Sequence, residues 1–272
     1  MSPSRKRFLR RALRFTGLAV TAIALAPFYW PTVGFARLAS EPRVRYERGA
    51  EAAAAVIARA LPDAIATVER AQLHRFPAPV EIFVCATTAS FARYGYGIRG
   101  AGGFVFNGRV FISPKPQNTP ERLPHLLTHE LSHLQLNQQL GFRRFVGDLP
   151  GWFREGLAVY VSGSGAETVS SAEARDAIAH DQYFQPIDTG SFFSAQLGQR
   201  EGLKAHLFYR ESALFIEFLA QRDAVAFRQL LAAIEDRRGF AESVCRSYGR
   251  DVAALHADFV TGLKRARPLS PP

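Results

Sequence analysis

The chain has 272 residues, 47% of them hydrophobic, and a formal net charge of +10 at pH 7. This length is enough for one globular domain with a sizeable core. Residues 1–36 contain six basic residues and no acidic residue, and removing those six charges from +10 leaves +4 for the remainder. A remainder this mildly basic, with no nucleic-acid-binding motif, argues against a nucleic acid as partner.

The N-terminus combines a basic head with an apolar segment. The basic residues fall within residues 1–14, and the apolar segment occupies residues 15–36. This order is typical of an export signal, and it predicts a cytoplasmic N-terminus with the rest of the chain outside the cytoplasm. Pro27 and Pro31 keep the apolar run shorter than the roughly 20 residues of a membrane helix. Signal cleavage near Ala36 and retention as a single membrane anchor therefore both stay open.

Residues 37–78 are predicted to be a helical linker region. The helix is expected to cover Glu41–Phe76, because Gly49–Ala60 is rich in alanine, the residue with the highest helix propensity. Pro62 is expected to kink or restart it. No residue pattern in this region indicates chemistry.

A domain at residues 79–268 follows, and it begins with β-structure. Pro79–Ala86 alternates and is rich in Val, Ile and Phe, which predicts a strand. Phe104–Ile112 is predicted to be a hairpin, because the Asn-Gly pair at 107–108 favours a two-residue turn. The glycine-rich Tyr94–Gly103 lacks the strand-to-helix context of a phosphate-binding loop, so a mobile lip over a cleft is the preferred interpretation.

The first chemical motif is HELSH at residues 129–133, within a predicted helix Pro120–Leu140. Residues four apart lie on one helix face, so His129 and His133 can converge on one metal ion. Glu130 lies beside them and can act on a metal-bound water without being a ligand. H-E-x-x-H is the arrangement of zinc hydrolases. The alternative is two surface histidines on an ordinary helix, although the many leucines here predict burial.

A candidate third ligand is Glu155, in the segment Pro150–Ala158. The segment is predicted to start a second helix, and Glu155 is its first inward-pointing acid in an otherwise apolar run. Burying an unpaired carboxylate is costly, and a zinc ion held by His129 and His133 would be its partner. Two histidines and one glutamate leave the fourth zinc position open for water, as in catalytic sites. The alternative is an exposed acid favoured by the helix dipole.

The remainder of the chain is predicted to be mainly helical. Ser170 or Ser171 can cap a short helix that ends at His180. Asp181–Arg200 is irregular and aromatic, and it either lines a pocket or packs on the core. Residues 269–272 are predicted to be a disordered tail. Three more helices are predicted from their apolar faces: Lys204–Gln221, Ala224–Asp236 and Asp251–Arg265.

The chain has two cysteines, Cys85 and Cys245. In an oxidising compartment they could form a disulfide. Two isolated cysteines in core-compatible segments are more often simply buried, so burial is the preferred interpretation and a disulfide is the alternative.

The two motifs together resemble those of the gluzincin metallopeptidases, the thermolysin-like group. The similarity is greatest to the small bacterial peptidase MA-like domains, whose second motif has the form P-x-W-x-x-E-G-x-A, here residues 150–158. It extends over roughly residues 79–262 and includes the tail YRESALFIEFLAQRD at 209–223. The resemblance implies a zincin-like α+β fold, with a small, mostly antiparallel sheet packed on the active-site helix and a helical C-terminal half.

The resemblance implies one zinc ion per chain, bound by His129, His133 and Glu155, with Glu130 as general base. The implied substrate is a peptide or protein. The basic and then apolar N-terminus, taken with the bacterial family that the motifs resemble, predicts a location in the bacterial cell envelope. The protein is expected to have an inner-membrane anchor and a periplasmic catalytic domain, or to be exported after signal cleavage. Two alternatives are a zinc-binding but inactive envelope protein that acts as a binding module, and a metal-free structural domain.

The resemblance also draws attention to supporting residues. Gluzincins stabilise the oxyanion with a Tyr or His of a later helix, for which Tyr209 is preferred here and His206 is the alternative. Val159 stands where thermolysin has an acid that braces a ligand histidine, so a backbone carbonyl or another side chain must brace it here. His125 is one turn before His129. It is expected to line the cleft, because a fourth protein ligand would close the water position.

Overall fold

The computed structural model describes residues 34–95, 97–190, 203–236 and 238–266. The predicted basic head and residues 15–33 of the predicted apolar segment lie outside these ranges. So do residues 191–200 of the predicted irregular segment, and the tail at 269–272. Within the described ranges, no helix combines the length and apolar character needed to cross a membrane.

In the described part of the chain, one sheet contains five strands: β1 (Ala36–Leu38), β2 (Glu41–Tyr46), β3 (Ile82–Val84), β4 (Gly103–Phe106) and β5 (Arg109–Ile112). Their order is β1-β2-β3-β5-β4. The two outer pairings are antiparallel, whereas β3 is parallel to both β2 and β5. The fold is of the predicted α+β class, but its sheet is evenly mixed rather than mostly antiparallel. Long connections lead from β2 to β3 and from β3 to the β4–β5 hairpin, which allows β3 to lie parallel to both β2 and β5.

Helix α1 spans Glu51–Gln72. The helix prediction was wrong for the six residues Glu41–Tyr46, which form β2. Val44 in β2 is fully buried and lies opposite Ile82 of β3. This long-range pairing determines the strand, and local composition does not reveal it. Residues 37–78 therefore contribute most of β1, all of β2 and helix α1 to the fold.

Nine further helices lie within the described residues: α2 (Thr88–Tyr94), α3 (Leu123–Leu140), α4 (Phe142–Gly147), α5 (Gly151–Ser162), α6 (Ser171–Ala179), α7 (Ala205–Arg222), α8 (Ala224–Glu235), α9 (Phe240–Tyr248) and α10 (Val252–Ala266). The predicted helices at the two motifs and in the C-terminal half are confirmed to within a few residues. The predicted cap of α6 is also confirmed, since Ser170 and Glu173 form a capping box. Asn107 and Gly108 form the predicted hairpin turn with φ of 48° and 70°.

Helix α3 lies between two hydrophobic cores. One core contains the sheet, α1 and residues of α3 such as Leu131. The other contains helices α4 to α10 and residues of α3 such as Leu136. Residues 127–137 of α3 are all buried, and seven of these are polar or charged. Buried polar side chains need compensating partners, so this concentration of them in one helix indicates a functional site.

The two cysteines are free and lie in different environments. Cys85 follows β3 and is buried in a cluster of aromatic rings, and this burial raises the pKa of its thiol to about 12. Cys245 is exposed on α9. The structure therefore contains two separate thiols rather than a disulfide.

Candidate metal centre

The structure brings the three residues predicted as metal ligands together. Nε2 of His129 lies 3.2 Å from Nε2 of His133, both on α3. Oε2 of Glu155, on α5, lies 3.6 Å and 3.5 Å from these two nitrogens. Among the residues that the structure describes, these three form the group of ligand-type side chains that could hold a metal ion.

Close helix packing positions Glu155 against α3. The next residue, Gly156, faces α7, where an added Cβ would lie 2.7 Å from the carbonyl oxygen of Ser212. Real Cβ atoms essentially never approach a backbone atom so closely. Glycine at this position therefore allows α5 to pack directly on α7 while Glu155 points towards the histidines.

A backbone carbonyl orients His129. Its Nδ1 lies 3.1 Å from the carbonyl oxygen of Ser164, to which the Nδ1–H donates. Nε2 is then the unprotonated nitrogen that faces His133 and Glu155. Val159 has no polar group that could brace this histidine, and the sequence left open whether a backbone carbonyl or another side chain does so. The structure shows that a backbone carbonyl braces His129.

The loop after α5 is shaped to make this contact. Gly165 has a φ of +108°, which side-chain-bearing residues rarely adopt. A Cβ at Gly165 would lie 2.7 Å from Cε1 of His129 and 2.8 Å from its Nδ1. The ring of His129 therefore occupies the space that a side chain at Gly165 would need.

Glu130 is buried beside the two histidines, with 5% of its surface exposed. Burial raises the pKa of its carboxyl, and the charges of His129 and His133 oppose that rise. The carboxyl also contacts the edge of the sheet, because a Cβ at Gly103 of β4 would lie 2.7 Å from Oε1 of Glu130. Glu130 thus lies between the ligand group and the outermost strand.

The electrostatics of the centre favour an ionised Glu155. Burial acts to raise the pKa of Glu155, but the charge of His133 and the interactions with both histidines outweigh it, so the pKa is held below its ordinary range. Burial likewise acts to lower the pKa of His129, and the nearby Glu155 and Glu130 raise it overall. The group therefore presents an ionised carboxylate beside two imidazoles, a set of donors to which a metal cation can bind in place of protons.

Tyr209 and His206, the two candidates for oxyanion donor, occupy different positions. Tyr209 is partly buried, and its pKa is raised by the charge of Glu155, by burial and by the charge of Glu130. The Nδ1 of His206 instead accepts a hydrogen bond of 3.1 Å from the backbone N–H of Thr168. Tyr209 is therefore close enough to the centre to be influenced by the charges of Glu155 and Glu130. The Nδ1 of His206 is instead used in a hydrogen bond to Thr168, in the loop before α6.

His125 does not join the ligand group. It is exposed, and its Nδ1 donates to the carbonyl oxygen of Ser162 over 3.0 Å. This arrangement agrees with the expectation that His125 lines a surface near the centre rather than binding a metal.

Sequence reasoning missed Arg154. The residue is half-buried, and burial lowers the pKa of its guanidinium despite the charge of Glu155. The guanidinium lies over the ring of Phe145, 5.1 Å from its centroid. The available signal was a basic residue directly before Glu155 in an otherwise apolar helix.

All residues of the candidate metal centre lie within a match to a known protein family. Residues 62–265 match the family model of the Peptidase MA superfamily, so the match begins inside α1, ahead of the start at residue 79 expected from the sequence. A search of curated proteins finds no match. Because the family match spans more than half of the chain, the protein belongs to the Peptidase MA superfamily, a superfamily of peptidases.

Proposed function

We propose that this protein is a zinc metallopeptidase of the gluzincin type that hydrolyses peptide bonds in a peptide or protein substrate. The observation that carries the proposal is the convergence of His129, His133 and Glu155 from two packed helices. Membership of the superfamily supports a peptidase-type reaction. The ligand types support the choice of metal.

The ligand set fits zinc. Zinc binds histidine nitrogen and carboxylate oxygen at about 2.0–2.2 Å with tetrahedral geometry, which separates neighbouring ligand atoms by about 3.4 Å. The observed separations are 3.2, 3.5 and 3.6 Å. Mg²⁺ and Ca²⁺ prefer sites made of oxygen ligands, so two imidazoles disfavour both. We therefore propose one zinc ion per chain, with a fourth position left for water.

The residues around the ligands have distinct roles in the proposed reaction. A zinc ion in this set supplies Lewis acidity and makes water more acidic. Glu130 takes the proton from the attacking water and returns it to the leaving amine nitrogen. The hydroxyl of Tyr209 donates a hydrogen bond to the oxygen of the scissile carbonyl as negative charge develops there.

Strand β4 is the proposed guide for the substrate. It is the outermost strand on its side of the described sheet, and its Gly103 contacts Glu130. A peptide that pairs with β4 in extended form would run past the general base. Recognition of this kind uses main-chain hydrogen bonds, so it constrains the conformation of the substrate more than its side chains.

The proposed function is tested by measuring zinc content and cleavage of a peptide library for the wild type and for Glu130→Gln. Glutamine is nearly isosteric with glutamate but cannot take a proton. We expect the variant to keep its zinc and its KM and to lose kcat by at least about 10²-fold. Glu121→Gln, at an exposed position in the turn before α3, is the matched control and should retain the wild-type rate.

Two outcomes would contradict the proposal. A wild-type protein that binds zinc but cleaves no peptide would indicate an inactive binding module. A Glu130→Gln variant that loses its zinc, or that cleaves at the wild-type rate, would show that Glu130 is a ligand or a bystander rather than the general base.

A further inference from the structure

The peptide group between Ser164 and Gly165 has a hydrogen bond at each end. Its carbonyl oxygen accepts from Nδ1 of His129 over 3.1 Å. Its N–H, which belongs to Gly165, donates to Oε1 of Glu167 over 2.8 Å. The C=O and N–H of a planar, trans peptide group point in opposite directions. This group therefore connects the imidazole of His129 on one side to the carboxylate of Glu167 on the other.

Glu167 holds this peptide group through a second hydrogen bond as well. Its Oε1 also accepts from the hydroxyl of Ser164 over 2.7 Å. Burial acts to raise the pKa of Glu167, but the hydrogen bonds from Ser164 and Gly165 outweigh it, so the pKa lies below its ordinary value. Glu167 is therefore a carboxylate at neutral pH, and its negative charge is directed at the peptide group that orients His129.

The residues that follow Glu167 are fastened to α7. The backbone N–H of Thr168 donates to Nδ1 of His206 over 3.1 Å. Nε of Arg210 donates to the carbonyl oxygen of Val169 over 3.0 Å. These contacts order the segment that carries Glu167, so its two hydrogen bonds cost little further conformational entropy.

We propose that Glu167 positions His129 as a metal ligand through the Ser164–Gly165 peptide group, an inference that rests on the proposed zinc site but not on peptide hydrolysis. In many zinc sites a carboxylate accepts directly from the ligand histidine, which fixes the ring and raises its basicity. Here a peptide group lies between the two. Hydrogen bonds in a chain polarise one another, so the carboxylate on the N–H side strengthens the carbonyl oxygen as an acceptor. Glu167 thus supplies from the loop the acid that α5, with Val159, lacks.

Two substitutions separate the hydrogen bonds of Glu167 from its charge. Glu167→Ala removes both hydrogen bonds, whereas Glu167→Gln keeps an acceptor oxygen and loses the negative charge. Glu173→Ala is the matched control, because one oxygen of Glu173 accepts from both the backbone N–H and the hydroxyl of Ser170, each over 2.7 Å. This control removes the same two kinds of contact from the cap of α6, which does not contact His129.

The first measurement needs neither metal nor substrate. A ring N–H that donates to a buried carbonyl is protected from exchange with water, so the Nδ1 proton of His129 should be visible by NMR in metal-free protein. Its absence from His129→Ala assigns the resonance. We expect the resonance to be unchanged in Glu173→Ala, to be kept in Glu167→Gln with a shift towards a weaker hydrogen bond, and to be lost in Glu167→Ala.

The second measurement is zinc affinity by competition with a chelator. Glu167→Ala should bind zinc about 10-fold more weakly than the wild type, the lower end of the effect of losing a ligand's supporting contact. Glu167→Gln should lose less, and Glu173→Ala should keep the wild-type affinity. Urea denaturation of each variant measures stability separately, so that a general loss of stability is not mistaken for loss of positioning.

Absence of the resonance from the wild type, or its persistence in Glu167→Ala, would overturn the role of Glu167. So would a Glu167→Ala variant that binds zinc as tightly as the wild type, or equal losses of affinity in Glu167→Ala and Glu173→Ala. If the resonance depends on Glu167 but the wild type binds no zinc, Glu167 still positions the ring of His129 and the proposed zinc site fails. If zinc binding depends on Glu167 but no peptide is cleaved, only the peptidase proposal fails.

Discussion

At the scale of single residues, the ring of His129 is oriented by a contact on the side that faces away from the candidate metal centre. The Ser164 carbonyl fixes which ring nitrogen carries the proton and therefore which nitrogen faces the centre. Gly165 makes this contact possible, because its positive φ and missing Cβ leave room for the imidazole ring. The loop Ser162–Gly165 is thus part of the site although it supplies no ligand.

Substitution at Gly165 tests this dependence. A Cβ in Gly165→Ala would clash with the ring of His129, so the ring must rotate or the loop must move. We expect zinc affinity to fall by about 10- to 100-fold, the usual effect of losing a ligand's supporting contact. The measurement is competition for zinc with a chelator of known affinity.

Gly163→Ala provides the matched control for this prediction. Gly163 also has a positive φ, +67°, but its missing Cβ faces open space. This variant should lose some stability through backbone strain and keep its zinc affinity. Equal affinities for the Gly165→Ala and wild-type proteins would mean that the loop does not orient His129.

At the scale of elements, the contact between α3 and β4 links Glu130, the proposed general base, to the proposed substrate strand. Helix α3 packs on the sheet through leucines such as Leu131, and this packing presses Glu130 against Gly103. The position of the proposed general base therefore depends on the position of the strand edge. A shift of the strand would move the carboxylate of Glu130.

Gly103→Ala is the corresponding prediction. The new Cβ would lie within 3 Å of Oε1, Cδ and Cγ of Glu130, so the carboxylate must be displaced. A misplacement of about 1 Å can cost about 10²-fold in rate, and we expect a loss of this order in kcat, with zinc content unchanged. Gly100→Ala, at a position with open space around it, should keep the wild-type kcat in the same steady-state assay. Unchanged kcat in Gly103→Ala would separate the strand from catalysis.

At the scale of the whole molecule, the two cores are joined outside the metal centre as well. Nδ1 of His74, between α1 and β3, contacts Oε2 of Glu235 at the end of α8. Burial and the charge of Asp236 raise the pKa of Glu235 to about 7. A group whose pKa is raised by folding stabilises the folded state at pH below its unfolded pKa, and this contribution is lost as the pH rises through the folded value.

The free energy of unfolding should therefore carry a pH-dependent contribution from Glu235. The stability of the wild type relative to Glu235→Gln should decrease between pH 5 and pH 8, measured by urea denaturation at each pH. Glu121→Gln should differ from the wild type by an amount that does not change over this range. A relative stability that stays constant over this range would show that Glu235 is ionised in the folded protein throughout, and it would contradict the prediction.

The sequence was sufficient to predict that His129, His133 and Glu155 come together, but it did not predict the contacts that support them. His129 and His133 were predictable because helical spacing alone places them on one face, and Glu155 because an acid in an apolar helix needs a partner. The Ser164 carbonyl and the contact at Gly103 depend on loop geometry and strand pairing, which leave no periodic signal.

At the level of the fold, the elements that could not be predicted from the sequence were mainly the short ones. Strand β2 is arginine-rich and is determined by its pairing with β3. Helix α4 has only six residues, too few for apolar periodicity to distinguish a helix from a loop. Because this helix was not predicted, the position of Phe145 and the stacking of Arg154 over its ring could not be predicted either.

The central claim is that His129, His133 and Glu155 hold one zinc ion, and metal analysis of purified protein tests it most directly. We expect about one zinc per chain in the wild type and in His125→Ala, which removes a neighbouring histidine outside the ligand group. His129→Ala and Glu155→Gln should each lose zinc under the same dialysis against a weak chelator. Full zinc occupancy in both of these variants, or a wild type that does not retain zinc supplied during purification, would contradict the account.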